Sequence, residues 1–144
     1  MMKNPLPTAA LLVLCYLASG SVVAADGFLM TPQGARYQEL KTGTGEGAET
    51  GDVVTMHFIG WLDDDGRQGK ELYNTRREGK PVSFVVGTDR VMPGWSDGVI
   101  GMKPGGKRLL LLPPARGYGA RGVQDVIPPD AGLMFMIDLI AVEK

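Results

Sequence analysis

Residues 91–114 read VMPGWSDGVIGMKPGGKRLLLLPP, and the fold follows from this stretch. Pro93 and Gly94 open a short helix, because a proline in the first turn gives up no helical hydrogen bond. Trp95, Val99 and Met102 then fall at i, i+4 and i+7, one apolar face. Gly101 and the Lys-Pro-Gly-Gly run after it end the helix. So short a helix with Gly98 inside it gains little from propensity, so packing has to hold it. The Leu run at 107–114, stopped by two prolines, is a strand.

Working outward, DVVTMHFIGWL (52–62) alternates cleanly and reads as a central strand. Val54, Met56 and Phe58 share one face, and Val53, Thr55, His57 and Ile59 the other. ARYQELKTG (35–43) reads as an edge strand and PVSFVVG (81–87) as a further strand, with Pro81 at its start, where a missing N–H is tolerated. LMFMIDLIAVEK (133–144) closes the chain as a strand with Phe135, Ile137 and Leu139 on one face. TGTGEGAETGD (42–52) and DDDGRQGKE (63–71) read as exposed loops. ARGYGARGVQDVIPPDAG (115–132) carries too much Gly and Pro for regular structure, and a loop of that length in a compact domain is often functional. Four or five strands and one short helix give an α+β layout: an antiparallel sheet wrapped on a single helix.

Several chemistries are disfavoured at this level. The 144 residues carry a formal net charge of −1 and no basic run, so no electrostatic footprint for nucleic acid is present. The glycine-rich 42–52 stretch lacks the Gly-Lys-Ser/Thr ending of a phosphate loop. Asp63, Asp64 and Asp65 lack the alternate spacing and closing Glu of a calcium loop, and no metal or cofactor is expected. A Ser-His-Asp hydrolase would need His57 beside Ser83 or Ser96, and nothing resembles a nucleophile elbow.

The N-terminus has its own character. Lys3 precedes a run free of charge until Asp26, apolar at its centre and then rich in small residues. This is the order of a secretory signal, with cleavage expected before Asp26. The alternative is an uncleaved anchor, but the apolar run is short of the ~20 residues a span needs. Cleavage removes Lys3 and the one cysteine, Cys15, leaving a thiol-free chain of net charge −2. The expected organisation is a signal at 1–25, a tail or linker at 26–34 and a domain at 35–144, exported to the periplasm or secreted.

VVTMHFIGWL, VMPGWSDGVIGMKPGGKRLLLLPP, GYGARG, VIPP and LMFMIDLI occur in an order and spacing that resemble an FKBP-type peptidyl-prolyl cis-trans isomerase domain, from about Ala35 to Lys144. The resemblance implies a twisted antiparallel half-barrel around one short helix. It also implies a pocket for a proline ring, with Trp95 as its floor and Val91 and Met92 beside it. Tyr118 would place a hydroxyl at the rim, Val126 and Ile127 would contribute from the long loop, and Phe135 from the last strand. Phe58 occupies the place of a tyrosine often found in the family, and Val82 that of an aromatic. The implied activity is isomerisation of Xaa-Pro bonds in exported polypeptides. The implied partners are proline-containing segments and macrolide inhibitors, with the chain acting as a monomer free of stable membrane insertion.

One segment departs from the family. Where Phe-Asp-Ser-Ser is usual, this chain has Leu72, Tyr73, Asn74 and Thr75. Leu72 replaces an aromatic wall, and Tyr73 falls where the active-site Asp would be. The departure sets up an alternative, a binding module or chaperone of the same fold with weak or no turnover.

Overall fold

The computed structural model describes residues 27–88 and 91–144; the expected signal at 1–25 lies outside them. The described chain forms one seven-stranded sheet. Its strands are β1 (Leu29–Met30), β2 (Arg36–Lys41), β3 (Val53–Asp64), β4 (Arg67–Asn74), β5 (Val82–Val85), β6 (Lys107–Leu112) and β7 (Leu133–Glu143). Two α-helical segments, α1 (Thr75–Glu78) and α2 (Pro93–Val99), and a 3₁₀ turn at Pro114–Arg116 complete it. The strand order is β1-β2-β6-β7-β3-β4, every pairing is antiparallel, and β5 also pairs with β3.

The central strand explains this layout. One edge of β3 pairs with β7 from Val53 to Leu62. Its other edge is shared: Val53 to Met56 pair with β5 and Ile59 to Asp64 with β4. The alternation read from the sequence is present, with Val54, Met56 and Phe58 buried on the concave face. Helix α2 crosses that face very closely. A Cβ on Gly94 would lie 2.4 Å from the Leu112 side chain, and one on Gly98 2.4 Å from Leu110. The glycines that weaken the helix are therefore what let it sit on β6, and Val99 and Met102 are fully buried there.

Arg108 secures the end of α2. It is buried on β6, and its Nη1 donates to the carbonyls of Gly98 (2.8 Å) and Ile100 (2.9 Å). Its Nε bonds Glu39 on β2, and its guanidinium stacks 4.3 Å from the Tyr37 ring centroid. The last turn of a helix leaves carbonyls without partners, and this cation supplies one.

Four expectations are corrected. The 63–71 segment is a hairpin rather than an exposed loop: β3 runs on to Asp64, and β4 starts at Arg67. Asp65 (φ 53°) and Gly66 (φ 84°) form the two-residue connection, an Asp-Gly pair suited to positive φ at both positions. The 35–43 strand is not an edge, because the 26–34 tail supplies β1 outside it, with Leu29 opposite Tyr37 and Met30 opposite Arg36. The strand count rises from four or five to seven through β1 and β4. Asn74 ends β4 and caps a second helical turn, its Oδ1 accepting from the Arg76 and Arg77 amides.

The convex face carries a smaller apolar cluster of Trp61, Leu111 and Met134, with Phe28 packed against it. The chain end is tied down as well. Lys144 Nζ donates to Asp52 at 2.8 Å and to the Gly47 carbonyl at 3.0 Å. That bond to Lys144, followed by the Glu49 amide, holds the Asp52 carboxyl below its ordinary pKa, and the same contact raises that of Lys144.

Candidate functional site

Between α2, the concave face of the sheet and the 115–132 loop lies an apolar cavity of about 610 Å³. All the residues singled out from the sequence line it: Phe58, Leu72, Tyr73, Val82, Val91, Met92, Trp95, Tyr118, Val126, Ile127 and Phe135. Each arrives by a definite route. Phe58 projects from β3, Leu72 and Tyr73 from β4, Val82 from β5 and Phe135 from β7. Trp95 comes from the first turn of α2, with Val91 and Met92 just before it.

Phe58 is the hub of the aromatic wall. Its centroid lies 4.8 Å from Trp95, edge to face at 68°, and 5.8 Å from Phe135 at 66°. Trp95 and Phe135 meet at 5.8 Å and 81°. Such edge-to-face pairs set the positive rim of one ring against the negative face of another and fix their mutual orientation. Phe58 (7% exposed) and Phe135 (3%) are buried, whereas Tyr73 (47%) and Tyr118 (41%) stand at the rim.

Tyr73 stacks on Phe58, with centroids 5.6 Å apart and planes at 21°. Where the resemblance implies a carboxylate facing a phenol, this chain therefore has two stacked rings. The carboxylate charge of that wall is gone, the Tyr73 hydroxyl is its remaining polar group, and its ring surface is larger. The one buried side-chain polar atom without a partner among the described residues is Trp95 Nε1.

Sequence reasoning missed several lining groups. Gly60, Gly117, Val123 and Leu133 also face the cavity. A Cβ on Gly60 would come within 2.9 Å of Phe135 Cε1, so the bare backbone there makes room for that ring. Phe84 was placed in a strand but not in the site, yet it lies 5.7 Å from Trp95 and supports the indole. The Phe84 position in the alternation of 81–87 was the available signal.

The 115–132 loop is more ordered than its composition suggests. Val123 and Ile127 exchange backbone hydrogen bonds of 2.9 and 2.8 Å, and the Asp130 amide donates to the Gly119 carbonyl. Arg116, paired with Asp97, ties the start of the loop to α2. Thr75, fully buried at the start of α1, accepts from the Phe58 amide at 2.9 Å and shares a 2.8 Å hydrogen bond with His57 Nδ1. His57 is thus structural. Ser83 bonds Thr55 and Ser96 accepts from the Gly87 amide, so neither serine is hydrogen-bonded to it. Among the described residues no cluster of His, Cys, Asp or Glu could hold a metal ion.

A twisted antiparallel sheet packed on a short helix, with a ring-lined apolar cavity between them, defines an α+β domain. Residues 44–140 match the model of the FKBP-type peptidyl-prolyl cis-trans isomerases. The chain is 41% identical over 105 residues to an FK506-binding protein of Neisseria meningitidis, covering 73% of this chain and 93% of the relative. A peptidyl-prolyl cis-trans isomerase of Pseudomonas syringae superposes with a TM-score of 0.72 at 29% identity, over 99% of this chain and 100% of that one. FkpA of Escherichia coli gives 0.71 at 38% identity over 81% of this chain, which spans only 52% of FkpA. The chain belongs to the FKBP-type peptidyl-prolyl cis-trans isomerase family.

Proposed function

We propose that the cavity receives the proline ring of a polypeptide and that the protein accelerates Xaa-Pro isomerisation without covalent chemistry. The observation that carries this is the pocket of Phe58, Trp95 and Phe135, closed by aliphatic side chains from three strands, the entry to α2 and the long loop. Rotation about the amide faces a barrier of about 18–20 kcal/mol because it breaks resonance. The planar amide is more polar across C–N than the twisted one. A dry pocket thus disfavours the ground state relative to the transition state. Each ~1.4 kcal/mol gained in this way is a tenfold rate.

Two donors can add to this. Trp95 Nε1 has no internal acceptor, and a buried donor left open is suited to a ligand or a water. The Tyr118 hydroxyl stands at the rim, in reach of a carbonyl twisted out of the plane. No side chain has to change protonation state. Leu72 and the stacked Tyr73 keep the wall apolar and remove the carboxylate that the family resemblance places there.

That replacement favours a second reading, a proline-binding module or chaperone with little turnover. Cis-to-trans rates of Leu-Pro peptides with the wild type, Trp95→Ala and Tyr73→Asp separate the two. Catalysis lost in Trp95→Ala supports the isomerase. No catalysis in the wild type but a gain in Tyr73→Asp supports the module. Rates equal to buffer throughout would refute the isomerase, and the module too if the same peptides also fail to bind.

In the cell we place the protein outside the cytoplasm, acting as a monomer on exported chains after removal of residues 1–25. Among the described residues no helix is long and apolar enough to cross a membrane. Macrolides that fill the same pocket are expected to bind, more weakly for want of the carboxylate at Tyr73. N-terminal sequencing of the exported protein tests the cleavage site.

A further inference from the structure

A second depression adjoins the proposed proline cavity. The two share Val123, Val126 and Ile127, so the tip of the long loop forms the wall between them. Its remaining lining mixes apolar Leu62, Pro128 and Pro129 with charged groups: Lys70 on β4, and Arg121 and Asp125 on the loop. Most other cations near the sheet are spent on internal partners: Arg76 on Asp138, Arg77 on Glu71, Arg108 on Glu39 and Arg116 on Asp97. Lys70 and Arg121 make no ion pair or hydrogen bond among the described residues. With Asp125 as the opposing charge, the depression keeps a net positive character.

Its distance from the cavity is set by the strand. Lys70 is two residues before Leu72 on β4, about 7 Å along the strand at about 3.3 Å per residue, with a bulge at Leu72 interrupting the alternation. An extended peptide seated with its proline in the cavity and crossing the loop tip would bring a residue one or two positions away into this depression.

We infer that Lys70 and Arg121 form a specificity subsite for a carboxylate, so that the preferred substrates carry Glu or Asp within two residues of the proline. This rests on the proposed isomerase reading and adds substrate selection to it. Exposed ion pairs are individually weak, and two cations acting together favour an acidic over a basic side chain by about three- to tenfold in kcat/KM. The preference is electrostatic and falls with salt, since the screening length drops from about 10 Å at 0.1 M to about 3 Å at 1 M.

The test uses blocked Leu-Pro hexapeptides with Glu, Gln or Lys placed in turn two residues before, one after and two after the proline. The expected result is a Glu-to-Lys ratio of kcat/KM of at least three at one of these positions, collapsing towards one in 1 M salt. In the double variant Lys70→Glu, Arg121→Glu the ratio should invert. Because it is a ratio within one protein, a general loss of activity or folding does not move it. Equal rates for Glu and Lys peptides in the wild type, alongside catalysis of the Gln peptide, would overturn the subsite and leave the isomerase reading intact. No catalysis of any peptide would instead count against that reading. A ratio unaltered in the double variant would assign the preference elsewhere and also overturn the subsite.

Discussion

Arg108→Met tests how the indole of Trp95 is held in place. The guanidinium satisfies two carbonyls at the end of α2, at 2.8 and 2.9 Å, from a position only 4% exposed. Hydrogen bonds involving a charged group contribute about 1.5–3 kcal/mol each, so the two together amount to about 3–6 kcal/mol. The pair with Glu39 adds at most about 1 kcal/mol because that carboxylate is a third exposed. Stacking on Tyr37 adds about 0.5–1 kcal/mol. Methionine regains about 1–2 kcal/mol through its own burial. The net expectation is a loss of about 2–7 kcal/mol, centred at about 4 kcal/mol, or roughly 15 °C in Tm at that centre for a domain of this size. Urea unfolding with matched m-values measures it, and near-UV circular dichroism reports whether Trp95 has moved. Arg108→Lys keeps the charge but not the fork and should lose about half as much. A loss below about 1 kcal/mol in Arg108→Met would refute the reasoning, because the carbonyls would then be satisfied without the guanidinium.

Gly60→Ala should push Phe135 out of its edge-to-face contacts, since the new Cβ would lie 2.9 Å from Cε1; peptide affinity should fall, at a stability cost of about 1–3 kcal/mol, and a crystal structure of the variant would show the ring displaced. Gly122→Ala meets both a φ of +62° and the Ile127 carbonyl at 2.3 Å, so hydrogen exchange at Val123 and Ile127 should quicken and peptide affinity weaken. The Asp52–Lys144 bond makes stability depend on pH at both ends. The depressed carboxyl pKa contributes above about 3.9, its unfolded value, and the contribution fades as pH falls through the folded value. The raised ammonium pKa contributes below about 10.4 and is lost as pH rises through the folded value. Thermal melts of Asp52→Asn should therefore differ most from wild type near neutrality and converge with it at acid pH.

Much of this was readable from residue patterns, and the misses have physical reasons. The alternation in β3 and the i, i+4 spacing of Trp95 and Val99 are periodic signals; β3 buries the expected face, whereas α2 ends at Val99 and Met102 is buried beyond it. The β4 strand was missed because RQGKE has almost no apolar residue: it is half-exposed, and its pairing to β3 sustains it. Asp65-Gly66 was a hairpin signal hidden inside an acidic run. The two-residue β1 is too short to carry any period, and its place depends on β2. Within the site, Phe84 and Gly60 escaped notice because one supports Trp95 from behind and the other contributes only the absence of a side chain. The stacking of Tyr73 on Phe58 needed the structure, since no spacing rule links residues on neighbouring strands across a bulge.

The central claim is that proline isomerisation takes place in the cavity walled by Phe58, Trp95 and Phe135. The most direct measurement is two-dimensional NMR exchange on a Leu-Pro peptide with catalytic amounts of protein, with methyl shifts of Leu72, Val91, Ile127 and Leu133 followed in the same titration. The account predicts cis–trans exchange cross-peaks that appear only with protein present, shift changes centred on those four lining residues, and loss of both in Trp95→Ala. Accelerated exchange with the lining methyls unmoved, or full exchange in Trp95→Ala, would contradict it.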